Sequence, residues 1–133
     1  MKVIYNRIIP WGFASYVNLF GVIFTRQNNL CLNELVKNHE LIHTRQMKYM
    51  LYLPFYAWYL VEYFIKFIIS LCYYRQENII DFAYRSISFE QEAYYNDDNM
   101  DYLKSFNPYA WIKYIFTMYD KTKNKTVVYI RSN

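Results

Sequence analysis

Histidine is nearly absent from this 133-residue chain: there are two, His39 and His43, four positions apart. Any metal chemistry that needs three imidazoles is therefore excluded. Glycine and proline number only two and three, and no low-complexity run, internal repeat or linker appears. Repeat architectures and linker-joined modules are set aside, and residues 1–133 are expected to form one domain. The two cysteines, Cys31 and Cys72, show no C-x-x-C spacing, and both are expected to be reduced, buried thiols. Lysine and arginine give a net charge of +4 but are scattered, so no nucleic-acid partner is expected, whereas mild attraction to anionic lipid fits. The apolar N-terminal patch of Val3-Ile4 and Ile8-Ile9 is broken by Arg7 and Pro10. It lacks the long core and cleavage site of a signal peptide, so the expected location is cytoplasmic, or peripheral to the cytoplasmic membrane.

What the chain has in abundance is aromatic side chains. They make up 23% of the residues, with seventeen tyrosines, which points to amphipathic surfaces at a membrane or a partner. Residues 2–9 are β-prone and end at Pro10, Trp11-Gly12-Phe13 reads as a turn, and 14–20 form an apolar segment. The spacing predicts a strand over 21–26, closed by Gln27-Asn28-Asn29. That strand reads either as an edge along which a peptide lies or as half of a core hairpin.

Asn33 is a candidate N-cap for a helix over 34–52, whose Val36, His39, His43, Met47 and Met50 share one inward face. Pro54 breaks into a second helix, 55–74. Its run from 51 to 71 is nearly long enough to span a bilayer but contains Glu62 and Lys66, four apart as in an ion pair. A buried or interfacial helix is expected in preference to a true span. Residues 75–81 read as a loop, and 88–95 as a helix capped by Ser86 or Ser88. Asn96-Asp97-Asp98-Asn99 is a stop, 100–105 a short helix, 109–119 a helix opened by Pro108, 120–125 a charged turn, and 126–131 a β-prone tail.

Both histidines fall within His39-Glu40-Leu41-Ile42-His43, the H-E-x-x-H pattern. Four residues apart on a helix, two imidazoles share a face and can bind one metal ion, with Glu40 beside them as general base. Zinc in a catalytic site takes a third protein ligand. With no third histidine this must be a carboxylate, and Glu62, Glu90 and Glu92 are the candidates. Eighteen residues separate His43 from Glu62, the spacing of the aminopeptidase branch of the thermolysin-like zinc peptidases. However, Leu60-Val61-Glu62-Tyr63 lacks that branch's Asn-Glu pair.

Glu90 stands in Ser88-Phe89-Glu90-Gln91-Glu92-Ala93-Tyr94. Over residues 33–96 the chain resembles the integral-membrane zinc peptidases: the prenyl-protein and heat-shock endopeptidases, and the antibiotic-sensor peptidases of the penicillinase-repressor systems. In those families HExxH is followed well downstream by Glu-x-x-Ala-Asp or Glu-x-x-Cys-Asp, whose Glu is the third zinc ligand. The resemblance puts Glu90 on that ligand and Ala93 on the small residue. Tyr94 stands where the families carry Asp, so the carboxylate that steadies the site is missing or supplied from elsewhere.

The expected fold is α+β and mostly helical: a zincin-like core with an N-terminal β-hairpin or edge strand packed on the HExxH helix. The expected activity is gluzincin-like, zinc-dependent hydrolysis of a peptide or protein substrate, with Tyr94, Tyr95, Arg75 or Arg85 stabilising the transition state. The rivals are a zinc-stabilised binding or structural module and a metal-free adaptor at a membrane surface.

Overall fold

In the computed structural model, which describes residues 2–8, 16–26 and 33–123, the sheet is organised by a two-residue turn. Strands β2 (Tyr16–Leu19) and β3 (Val22–Thr25) are joined by Phe20 and Gly21, both at positive φ (53° and 81°). That is the combination of a type I′ hairpin turn, whose twist matches the flanking strands. Gly21 is also needed for space, because a Cβ there would meet Thr44 Cγ2 at 3.1 Å. Strand β1 (Lys2–Tyr5) pairs in parallel with β3, giving the order β1-β3-β2. β3 is therefore the central strand. The edge nearest the HExxH helix is β2, so of the two readings of 21–26 it is the hairpin that holds, and not the edge.

Helix α1 (Glu34–Tyr49) begins where Asn33 accepts a hydrogen bond from Val36 N–H at 2.8 Å, as its cap role requires. It ends three residues earlier than expected. Leu51 and Tyr52 take positive φ, and Tyr52 N–H closes back onto Met47 C=O at 2.9 Å. Asn18 pins the hairpin to this helix: its amide donates to Glu40 C=O at 2.9 Å, and its oxygen accepts from Gly21 N–H.

Helix α2 (Leu53–Tyr73) is inverted in polarity. Beyond Phe55, the residues it buries are Glu62, Lys66 and Ser70, whereas Leu60, Val61, Phe64, Ile65, Ile68 and Leu71 are exposed. The expected Glu62–Lys66 pair is present only at 3.9 Å, because each partner has stronger ties elsewhere. Glu62 accepts from Ser88 N–H (2.9 Å) and Oγ–H (2.6 Å) and from Trp58 Nε1–H. Lys66 donates to the carbonyls of Ile115 (2.7 Å) and Thr117. Cys72, expected to be buried, is exposed on this helix as a free thiol.

The expected loop 75–81 is cut short by α3 (Ile79–Arg85), capped by Asn78 on Asp81 N–H. Its last turn passes through Ser86 into α4 (Ser88–Asn96). Neither Ser86 nor Ser88 caps α4; the carboxylate of Glu62, reaching from α2, takes the orphan N–H instead. The expected helix 109–119 is only a 3₁₀ turn, Ala110–Tyr114. Lys66 and Gln91 bind the carbonyl of Thr117, and Lys66 that of Ile115, so these acceptors are satisfied without a helix. Residues 100–105 likewise give a 3₁₀ turn, Tyr102–Ser105, and Lys121–Lys123 forms a third. Met47, Phe55, Ile87 and Phe89 form a core cluster where α1, α2 and α4 meet. The expected turns at 11–13 and 27–29, Cys31 and the tail 126–131 lie outside the described residues.

Candidate metal centre

The inward stripe of α1 delivers His39 and His43 to one point, and the first turn of α4 brings Glu90 to meet them. All three residues are buried. The two Nε2 atoms lie 3.1 Å apart. Glu90 Oε1 is 3.2 Å from His43 Nε2, and Oε2 is 3.4 Å from His39 Nε2. Donors at bond lengths of about 2.0–2.1 Å around a tetrahedral ion stand about 3.3 Å from one another; with one atom from each residue the group lies within 4.8 Å, close enough to gather round a single ion. Glu90 Oε2 is buried with no hydrogen-bond partner among the described residues, while Tyr59 O–H donates to Oε1 at 2.7 Å. One oxygen is thus held and the other is left for a cation. This buried His-His-Glu group could hold a metal ion.

The far side of each imidazole is oriented as metal ligation requires. Gln46 Nε2 donates to Glu92 Oε2 (3.0 Å) and Phe89 C=O (3.3 Å), so its amide oxygen faces His43 Nδ1 at 2.8 Å. That oxygen accepts a hydrogen bond from Nδ1–H, which leaves the Nε2 lone pair for a metal. Glu92, itself held by Tyr102 O–H at 2.7 Å, thus acts through Gln46. Asp97 Oδ2 stands 3.8 Å from His39 Nδ1. Asn38 fixes that end of α4 by donating to the carbonyls of Asn96, Asp97 and Asn99. Asp97, one residue past the end of α4, thus brings a carboxylate to the His39 side of the group, where Tyr94 brings none.

Electrostatics match this arrangement. Burial pulls the His39 pKa down, but Asp97 and Glu90 outweigh it and raise it to about 10. Burial likewise lowers His43, and Glu90 raises it above its ordinary value. Burial pushes Glu90 up, yet the two imidazoles hold it well below the usual carboxylate range. The cluster demands positive charge at its centre. Protons can provide it, and a divalent cation that replaces them must release them.

Of the other candidates, Glu62 sits at the start of α4, bound to Ser88, away from the group. Tyr94 and Arg85 are brought to the site: the Tyr94 ring lies 4.6 Å from that of His39, and the Arg85 guanidinium lies 4.7 Å over Tyr94. Tyr95 instead accepts from Asp120 N–H, and Arg75 is exposed beyond α2. Glu40, buried beside the histidines, lines a cleft with Tyr16 to Leu19 of β2. Burial, then Glu40, lifts the Tyr16 hydroxyl to about 12. Tyr16, Gln46, Tyr59 and Asp97 carry no sequence signal of their own, although Gln46 stands three residues after His43 and Asp97 seven after Glu90.

Protein-family models, curated proteins and solved structures were all compared with this chain, and none matches. The geometry therefore stands alone. After purification with zinc, elemental analysis is expected to find about one metal per chain in the wild type. His39→Ala and Glu90→Ala should lose it, and Glu62→Ala should retain it. Asp97→Asn should weaken affinity by about 10–100-fold. A Glu90→Ala protein with full metal content contradicts this ligand set.

Proposed function

We propose that this chain is a zinc-dependent peptidase with a zincin-like core, in which His39, His43 and Glu90 hold the zinc and Glu40 is the general base. The observation that carries this reading is the convergence of three buried residues, His39, His43 and Glu90, whose nearest side-chain atoms lie 3.1–3.4 Å apart, beside a second carboxylate, Glu40, on an open cleft. Bound there, zinc supplies Lewis-acid polarisation of a carbonyl and brings the pKa of a water near neutrality. Glu40 takes a proton from the attacking water and passes it to the leaving amine as the C–N bond breaks. The developing oxyanion is assigned to the hydroxyl of Tyr16, which lines the cleft, or of Tyr94, whose ring lies against His39 and under Arg85.

Strand β2 supplies the substrate edge. Its turn makes Leu19 and Val22 the hydrogen-bonded closing pair, so the antiparallel alternation points the backbone groups of Asn18 and Tyr16 away from β3. An extended peptide can pair there, alongside Glu40. A purely structural zinc site calls for a fourth protein donor, most often cysteine; among the described residues the group has three, and Cys72 is exposed on α2. The same donor set also serves non-haem iron(II); the general base beside it favours hydrolysis.

The inverted helix α2 supports a location at a membrane surface. At about 1.5 Å per residue its 21 residues are about as long as a bilayer core is thick, but Glu62 and Lys66 face the protein and are satisfied there. The elements packed on that inner face carry charges of their own, such as Asp81, Arg85 and Lys113. α2 therefore lies along the interface with Leu60, Phe64, Ile68 and Leu71 toward the acyl chains, joined by Phe116, which is 97% exposed.

Two outcomes follow. Glu40→Gln keeps its zinc and loses hydrolysis of an unfolded protein substrate by about 10²–10⁴-fold; undiminished turnover contradicts the mechanism. In flotation with phosphatidylglycerol-containing vesicles the wild type rises with lipid even in high salt. A Phe64→Glu/Ile68→Glu variant with an unchanged circular dichroism spectrum stays below. A wild type that stays in the soluble fraction contradicts the membrane location.

A further inference from the structure

The cleft beside Glu40 does not stop at the metal site. Cleft and continuation together enclose about 320 Å³, and the part between β2 and the start of α2 is lined by Leu19, Met47, Phe55, Tyr56 and Tyr59. Its polar atoms are already committed. Tyr56 O–H accepts from Phe20 N–H at 2.9 Å and lies 3.5 Å from Met47 Sδ. Tyr59 O–H is spent on Glu90. Beyond His43 and the metal it would help to hold, no basic side chain lines it, so an acidic arm at the α2 end finds no counter-charge. A cavity of about 150 Å³ with apolar walls accommodates benzene. This one has room for a large apolar side chain and little else to offer it.

We infer that this cavity selects the substrate, taking one large apolar or aromatic side chain next to the bond to be cleaved. Met47, one helical turn beyond His43, and Phe55 are the specificity-determining walls. This rests on the proposed peptidase reading, because the cavity has meaning only if a peptide lies along β2.

The test uses zinc-loaded protein and a set of peptidyl hydroxamates that differ only in one arm: benzyl, isobutyl, methyl, aminobutyl or carboxyethyl. Affinities come from calorimetry, so no turnover is needed. Benzyl and isobutyl arms are expected to bind about tenfold or more tighter than methyl, with carboxyethyl weakest. Met47→Phe, which narrows the cavity from α1, should reverse the order of benzyl and methyl; if that variant does not fold, the wild-type series still decides. Equal affinities for benzyl and methyl, or tightest binding of aminobutyl, overturn the assignment, even if the protein cleaves peptides. Benzyl preference in a protein that cleaves nothing keeps the cavity assignment and removes the peptidase reading. A protein that takes up no zinc overturns both.

Discussion

Two imidazole nitrogens 3.1 Å apart and a carboxylate within 3.4 Å of both, all out of water, cannot be left to themselves. Burying an ionised carboxylate costs on the order of several kcal/mol even after relaxation, unless opposite charge and hydrogen bonds offset it. Here Tyr59 offsets one oxygen, and the other faces the histidines with no hydrogen bond. Much of the remaining architecture serves that constraint. Asn38 ties α1 to the end of α4 and so places Asp97, Gln46 joins His43 to Glu92, and Glu62 anchors the start of α4 from which Glu90 projects.

The polar interior also explains the inverted helix. α2 spends its inner face on the carboxylate that caps α4 and the ammonium that gathers the carbonyls of Ile115 and Thr117. Its apolar residues are left outside, where lipid is the environment that removes their cost. Site and surface are thus two consequences of one packing decision, since the helix whose inner face anchors α4 is also the one whose outer face leaves Leu60, Phe64, Ile68 and Leu71 exposed. The cleft lies between these demands, bounded by the hairpin that Asn18 and Tyr56 hold against the helices.

The candidate metal group was legible because helical periodicity turns a four-residue spacing into a shared face, and because two histidines leave few alternatives. The boundaries of α1 and α4 followed from Asn33 and from the Asn-Asp run at 96–99. Less local features were hidden. The order of the strands depends on which neighbour β1 finds, and hydropathy cannot tell whether Glu62 and Lys66 face water or the interior. Asp97 read only as a stop signal, although its carboxylate comes to within 3.8 Å of His39 Nδ1. The helix expected at 109–119 was lost to long-range donors, Lys66 and Gln91, that no local pattern announces.

X-ray absorption at the zinc K-edge of the loaded protein tests the central claim most directly. The account predicts a shell of nitrogen and oxygen scatterers with the multiple-scattering signature of two imidazoles, no sulfur, and a changed first shell in Glu90→Ala. A sulfur scatterer, a single imidazole, or a spectrum unaffected by Glu90→Ala would contradict it.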